Sequence, residues 1–329
     1  MDRLQPRNPK TRVFLSYAFD WIFCAILLAL FFLLDRVEPF HREFSVEDRA
    51  IMFPYEPKET IAVWAVVLIT GVFPLVVILV VGLGIRRSPY DFHNGILGLL
   101  LSILMTTMFT QAMKVTVGKH RPDFLARCNP MLMGLPVVKD IPLRLWTVRV
   151  CSQPDHHILK DGMRSFPSGH ASTSFAGLTY ISLWMAGKMR VFDRRGYSLK
   201  VVLLIVPILA ALLVSISRIQ DYRHAGVDVT WGGIIGIIFA IFAYLQYYPS
   251  PTSPYPDVPN PPRHLPWMPR NNEGQGAGSS RLENATGIQH NHDLVDESRH
   301  VQNNSVYEGQ AYNDDGARVG TTVQRDRAV

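Results

Sequence analysis

IAVWAVVLITGVFPLVVILVVGLGI, residues 61–85, runs from end to end without a charged side chain. An α-helix needs about 20 apolar residues to cross a hydrocarbon core of roughly 30 Å, so this run reads as a membrane-spanning helix. Pro74 lies inside it and predicts a local kink, with neighbouring helices compensating for the interrupted ladder. Outward from this run, residues 13–34, 95–113, 168–187, 199–217 and 229–248 come close to the same length or exceed it. The first is longer than the apolar core of a secretory leader, and no small-x-small cleavage site closes it. The expectation is an all-α, polytopic membrane protein with six transmembrane helices.

The chain of 329 residues is 48% hydrophobic, with a net charge of +6 and a pI near 9.3. Its cations fall in the joints between spans, so topology accounts for them better than nucleic-acid binding does. Residues 1–12, 86–94 and 188–200 together carry eleven Lys and Arg, whereas 35–60, 115–166 and 218–228 are less densely basic. The positive-inside rule puts the first set, and both termini, in the cytosol. The second set then faces the lumen or the exterior of a vacuolar, endomembrane or plasma membrane.

Residues 1–12 form a short cytosolic arm, and 13–248 the six-span domain. Beyond Tyr248, nine prolines fall between residues 249 and 269, and the remainder is rich in Asn, Gln, Gly and charge. Residues 249–329 therefore read as a proline-rich linker and a disordered cytosolic tail, where the acceptor patterns at Asn284 and Asn303 would meet no glycosylation machinery. Asp20, near the edge of its span, is expected to reach headgroups or bond a neighbouring helix. The loop 35–60 carries seven acids against four bases and reads as a solvated acidic loop. The loop 115–166 is long enough to cap a site, and Leu143, Leu145, Trp146 and Met163 in it either touch lipid or pack over helix ends. His156 and His157 point in different directions and read as exposed. Cys128 and Cys151 share that loop, and a disulfide is allowed by compartment although spacing alone does not decide it.

Three polar clusters sit where apolar runs meet water: Lys114-x6-Arg121-Pro122, Pro167-Ser168-Gly169-His170, and Ser217-Arg218-x5-His224-x3-Asp228. A point charge and a planar fork of donors together suit a phosphate, and Lys114 and Arg121 share a face if their helix continues. Ser168 and Gly169 would open the fourth helix, whose N-terminal N–H groups and dipole attract anions. Ser168 can donate its hydroxyl, and Gly169 lets backbone approach a phosphate oxygen. His224 and Asp228 are four apart, so on a helix the carboxylate can accept from one imidazole nitrogen and leave the other as a nucleophile. Each cluster alone has a bland reading as a snorkelling pair, a helix start or a surface ion pair. All three falling on one predicted membrane face is harder to obtain by accident.

Together the clusters resemble the signature of the type-2 phosphatidic acid phosphatase family of integral membrane lipid phosphatases. Arg121-Pro122-Asp123-Phe124-Leu125 with Arg127-Cys128, and Ser217 to His224, look like fungal diacylglycerol pyrophosphate and lipid phosphate phosphatases. Ala225-Gly226 after the histidine is a departure, since relatives often carry bulkier or polar residues there. The resemblance implies that His224 attacks phosphorus and forms a phosphohistidine, that Asp228 orients it, and that His170 protonates the leaving oxygen. It implies that Lys114, Arg121, Ser168, Gly169 and Arg218 hold the phosphoryl oxygens, with no metal or other cofactor. The expected substrates are phosphatidate, diacylglycerol pyrophosphate or lysophosphatidate. Sphingoid-base, polyisoprenoid or sugar phosphates are the alternative, and a non-catalytic anion transporter is the reading from another class.

The topology is open to direct test. A reporter fused after Tyr248 is expected in the cytosol, and a tag within residues 136–142 on the opposite side of the membrane. Both on one side would refute six spans.

Overall fold

The computed structural model describes residues 9–261 apart from 138, 143 and 194, with side chains from Ser16 onward. The cytosolic arm up to residue 8, Leu143, and the tail from residue 262 with Asn284 and Asn303 lie outside the described residues. The chain is helical. Its elements are α1 (Pro9–Arg36), α2 (Val63–Val67), α3 (Phe73–Leu79), α4 (Pro89–Val117), α5 (Phe124–Cys128), α6 (His156–Gly162), α7 (Gly169–Lys188), α8 (Ser198–Gln220) and α9 (Gly226–Tyr247). A hairpin of β1 (Met131–Leu132) and β2 (Leu135–Pro136) pairs antiparallel within the long loop.

The apolar run that opened the sequence is not one regular helix. Two π-helical stretches, Leu68–Val72 and Val80–Ile85, flank α3, which carries Pro74 at its second position. Wider turns thus accompany the proline where a kink was expected. The third span starts cleanly: Ser88 accepts from the Asp91 N–H, and Pro89 occupies the first turn, where a missing N–H costs nothing. It stops as cleanly, on Gly118 in the left-handed conformation, four residues past Lys114.

Ser16–Arg36, Val63–Ile85, Pro89–Val117, Ser198–Gln220 and Gly226–Tyr247 are long and apolar enough to cross a membrane. The remaining expected span, α7, has the length but not the apolarity, because Ser172, Thr173, Ser174, Thr179 and Ser182 interrupt it. Its position explains that composition. Helix α7 packs against α4, α8 and α9, so lipid-facing apolarity is not demanded of it. Two of its hydroxyls find partners inside the bundle: Ser182 Oγ donates to Leu178 O and Leu204 O, and Thr110 Oγ1 lies 3.0 Å from Ser172 Oγ.

The approach of α7 to α9 depends on missing side chains. A Cβ at Gly232 would lie 2.6 Å from Ser168 O, and one at Gly236 only 2.3 Å from Ser172 O. Small residues let the two backbones touch, which is how helices associate where the hydrophobic effect is absent.

At one end of the bundle, Asp91 accepts from Lys188 Nζ at 2.6 Å and from Tyr248 Oη at 2.8 Å. Asp257, from the proline-rich stretch, accepts from Arg86 at 3.0 Å and from Arg190 Nε at 2.9 Å and so packs against the same end. Lys114 lies at the other end of α4, about 35 Å away at 1.5 Å per residue. Asp20 bonds a neighbouring helix, accepting from Tyr247 Oη at 3.0 Å.

Near that far end, the first and third loops dock together. Phe44, Val46, Ile51, Phe124, Trp146 and Met163 form a small core, and Phe44 and Trp146 exchange backbone hydrogen bonds. Trp146 and Met163 are therefore packed, whereas Leu145 remains exposed. Cys128, itself in this core, forms a disulfide with Cys151, which packs against it. His156 and His157 are exposed.

Gly236→Val tests the helix contact. Two added methyls on a Cβ already facing a carbonyl should force α7 and α9 apart, at about 1–3 kcal/mol or more. A thermal melt of the detergent-purified variant should show a clear drop in Tm; an unchanged melt would mean that the bundle yields there.

Candidate active site

Helix α4 ends, α7 begins and α8 ends around one cavity of about 480 Å³. Its lining includes Lys114, Arg121, Gly169, His170, Arg218 and His224, with Glu59 and Asp161. Its apolar lining includes Leu28, Phe31, Val66, Val67, Ile103 and Leu104, drawn from α1, the second span and α4. A cationic end and an apolar wall thus belong to a single chamber.

The arginines are held by carboxylates. Arg218, 1% exposed, donates from Nη2 to Asp221 at 2.6 Å, from Nη1 to Glu59 at 3.2 Å, and from Nε to Ser217 Oγ at 3.3 Å. Arg121 donates to Asp161 Oδ1 at 2.6 Å, and Arg127 to Asp161 Oδ2 at 3.0 Å. Desolvation tends to raise the Asp161 pKa, but Arg121, Arg127, Lys114 and Arg223 outweigh it and hold the carboxyl below the ordinary carboxylate value. Lys114 lies against the start of α7, where a Cβ on Gly169 would stand 3.2 Å from its ammonium. Gly169 therefore leaves room for the Lys114 ammonium.

His224 precedes α9 rather than riding on it, because that helix begins at Gly226. The expected hydrogen bond between Asp228 and His224 is accordingly replaced by another arrangement. His224 Nδ1 lies 2.7 Å from Ser165 O, a carbonyl that can only accept, so Nδ1 carries the proton and Nε2 the lone pair. Asp228, fully buried, accepts from Ser165 Oγ at 2.6 Å, Lys119 Nζ at 2.6 Å and the Ala225 N–H at 3.1 Å. The carboxylate thus reaches the imidazole through Ser165. Burial, with Arg121 and Lys114 as neighbouring cations, pushes the His224 pKa well below the ordinary imidazole value and keeps the ring neutral.

Lys114, Arg121, Gly169, His170, Arg218 and His224 meet in the cavity; Ser168 and Asp228 stand behind it. Ser168 caps α7, accepting from the Ala171 N–H at 3.4 Å, while its own N–H donates to Asp228 O at 2.9 Å. His170 Nε2 lies 3.2 Å from Ile61 O and 3.4 Å from Arg218 Nη1. His120, next to Arg121, stays out: it packs against Phe44 and Phe124, and burial with Arg42 nearby lowers its pKa to about 4.

Glu59, Asp161, Lys119 and Ser165 were not singled out in the sequence. Glu59 and Asp35 correct the reading of loop 35–60 as merely solvated, because Asp35 also works inward, accepting from Gln111 and Arg164 at 2.9 Å each. Lys119 sits within the six-residue spacer of the first cluster and Ser165 two residues before the second, so proximity to those clusters was the one available signal.

The sequence profile of the PAP2 superfamily matches residues 95–251, which carry all three clusters. Lipid phosphate phosphatase 2 of Arabidopsis thaliana is 41% identical over 266 residues, 80% of this chain and 88% of that protein. The chain belongs to the PAP2 superfamily. Diacylglycerol pyrophosphate phosphatase 1 of Saccharomyces cerevisiae is 36% identical over 225 residues, 67% of this chain and 76% of that protein. A probable diacylglycerol pyrophosphate phosphatase 1 of Schizosaccharomyces pombe is likewise 36% identical, over 69% of this chain and 78% of that protein. No solved structure matches. With its apolar helices and these relatives, this PAP2 protein is an integral, multi-pass membrane protein.

Proposed function

We propose that this protein is a lipid phosphate phosphohydrolase that acts through a phosphohistidine on His224. The observation carrying the reading is the shared chamber, in which Lys114, Arg121 and Arg218 face the same space as Leu28, Phe31, Ile103 and Leu104. A phosphate on an acyl-bearing glycerol presents this pairing of charge and hydrocarbon. A sugar phosphate would leave the apolar wall facing hydroxyls. The names of the relatives favour a lipid phosphate or diacylglycerol pyrophosphate as substrate, and phosphatidate is the lipid phosphate taken here. The chain is read as six-span, with α7 as the fourth span and the site on the non-cytosolic face.

The chemistry follows from the tautomer of His224. Its Nε2 lone pair attacks phosphorus, the bond from phosphorus to the leaving oxygen breaks, and the electron pair departs with that oxygen. His170 protonates the oxygen, releasing the lipid alcohol. Water then attacks the phosphohistidine and gives its proton to His170, and inorganic phosphate leaves while His224 recovers its lone pair. Lys114, Arg121, Arg218 and the first turn of α7 with Ser168 and Gly169 stabilise the equatorial oxygens, the main task in phosphoryl transfer. Asp228 keeps His224 oriented through Ser165. The positive charge that a metal would bring is supplied by these side chains, so no cofactor enters the scheme.

Phosphate release from a panel of lipid phosphates, with and without EDTA, tests substrate and metal independence together. Turnover is expected to survive EDTA, to fall with vanadate, and to vanish in His224→Ala; a strict magnesium requirement would refute the scheme.

The two histidines separate by leaving group. General acid catalysis contributes about 10²- to 10⁴-fold, but only where the departing oxygen needs a proton. His170→Ala should lose that much on phosphatidate while retaining a rapid nitrophenolate burst from p-nitrophenyl phosphate, followed by slow turnover. Equal burst loss on both substrates would remove the acid role from His170.

A further inference from the structure

Glu59, Thr60 and Ile61 lie outside the matched profile region and outside all three clusters, yet each touches the site. Glu59 Oε2 is 3.2 Å from Arg218 Nη1 and 3.7 Å from His170 Nε2. Thr60 donates its N–H and hydroxyl to Asp221, at 2.9 and 2.5 Å, and Asp221 in turn holds Arg218. Ile61 O lies 3.2 Å from His170 Nε2. Three consecutive residues of the first loop thus form a wall that holds the acid histidine and its neighbouring arginine together.

An acid must carry a proton before it can give one. His170 shares the chamber with Arg218 from α8, Lys114 from α4, Arg121 from the loop after α4, and neutral His224. Asp161 faces the chamber too, but its oxygens are engaged by Arg121 and Arg127. Glu59 is the carboxylate within 4 Å of the His170 ring among the described residues, and with Asp221 it neutralises Arg218, whose Nη1 lies 3.4 Å from that ring. Ile61 O, which can only accept, turns Nε2–H toward the same wall.

Resting on the phosphatase reading above, we propose that Glu59 is a positioning residue for His170, holding the ring and balancing Arg218 so that the imidazolium can protonate a poor leaving group. In the step it serves, the bond from phosphorus to oxygen breaks, the oxygen keeps the pair, and the imidazolium proton goes to that oxygen. Glu59 neither gains nor loses a proton. Its effect should therefore scale with the need for the acid.

The test compares kcat and KM of wild type, Glu59→Gln and Glu59→Asp in mixed micelles, on phosphatidate and on p-nitrophenyl phosphate. Glu59→Gln is expected to lower kcat on phosphatidate by about 10- to 100-fold, within the range of acid catalysis. The nitrophenolate burst should fall much less, because a nitrophenolate departs unprotonated and only the hold of Glu59 on Arg218 is then lost. Glu59→Asp keeps the charge on a shorter stem and should recover part of the phosphatidate rate. It also serves if the glutamine variant fails to fold, since its phosphatidate loss must then exceed its nitrophenolate loss. Equal losses on the two substrates would reduce Glu59 to a scaffold and overturn the proposal, as would a glutamine variant that matches wild type. Wild type inert on both substrates would overturn the phosphatase reading and this one with it, so the two failures are distinguishable.

Discussion

A buried carboxylate cannot stay charged in a helix bundle without partners, and Asp228 acquires them from three separate stretches of chain. Lys119 comes from the turn after α4, Ser165 from the end of the long loop, and Ala225 from the turn into α9. The peptide of Asp228 also accepts from the Ser168 N–H at the start of α7. Leaving such a group without its cation costs about 3–5 kcal/mol in comparable buried pairs. The requirement to satisfy this one carboxylate therefore brings the three polar clusters to one place, and the orientation of His224 follows from it through the Ser165 carbonyl.

The chamber in front of that carboxylate is a balance of charges. Lys114, Arg121 and Arg218 would repel one another in a dry site, and Asp161, Glu59 and Asp221 hold the two arginines. Arg218 has donors in three directions, so its guanidinium is fixed before any ligand arrives. Preorganisation of this kind suits phosphoryl transfer, where placing positive charge against developing negative charge is most of the work. The apolar wall from α1, the second span and α4 gives the same chamber its hydrocarbon side.

Helix α7 shows how far composition can be misleading about location. Its serines and threonines lower its apolarity below that of the other long helices, yet it is the helix most enclosed by neighbours. The hydroxyls of Ser172 and Ser182 bond within the bundle, and the glycines of α9 let the two backbones meet. A hydropathy reading alone would have ranked this central element last. The cluster Pro167-Ser168-Gly169-His170 at its start identified it all the same.

The helical, membrane-spanning class was legible in the sequence because uncharged runs of bilayer length have few other uses, and so were Lys114, Arg121, His170, Arg218 and His224, because their chemistry stands out at the ends of such runs. The distinction between bonded and merely nearby was not legible. A spacing of four suggested that Asp228 would touch His224, but α9 begins between them and the carboxylate turned to Lys119 and Ser165 instead. Glu59 and Asp161 looked like ordinary loop acids, since nothing local marks a carboxylate whose partner lies more than a hundred residues away or across a docked loop. Pattern along the chain determines which segments are helices and which residues can react. Which acid meets which base is decided by the packing of those helices, since a buried charge takes whatever opposite charge or donor the fold brings within about 3 Å.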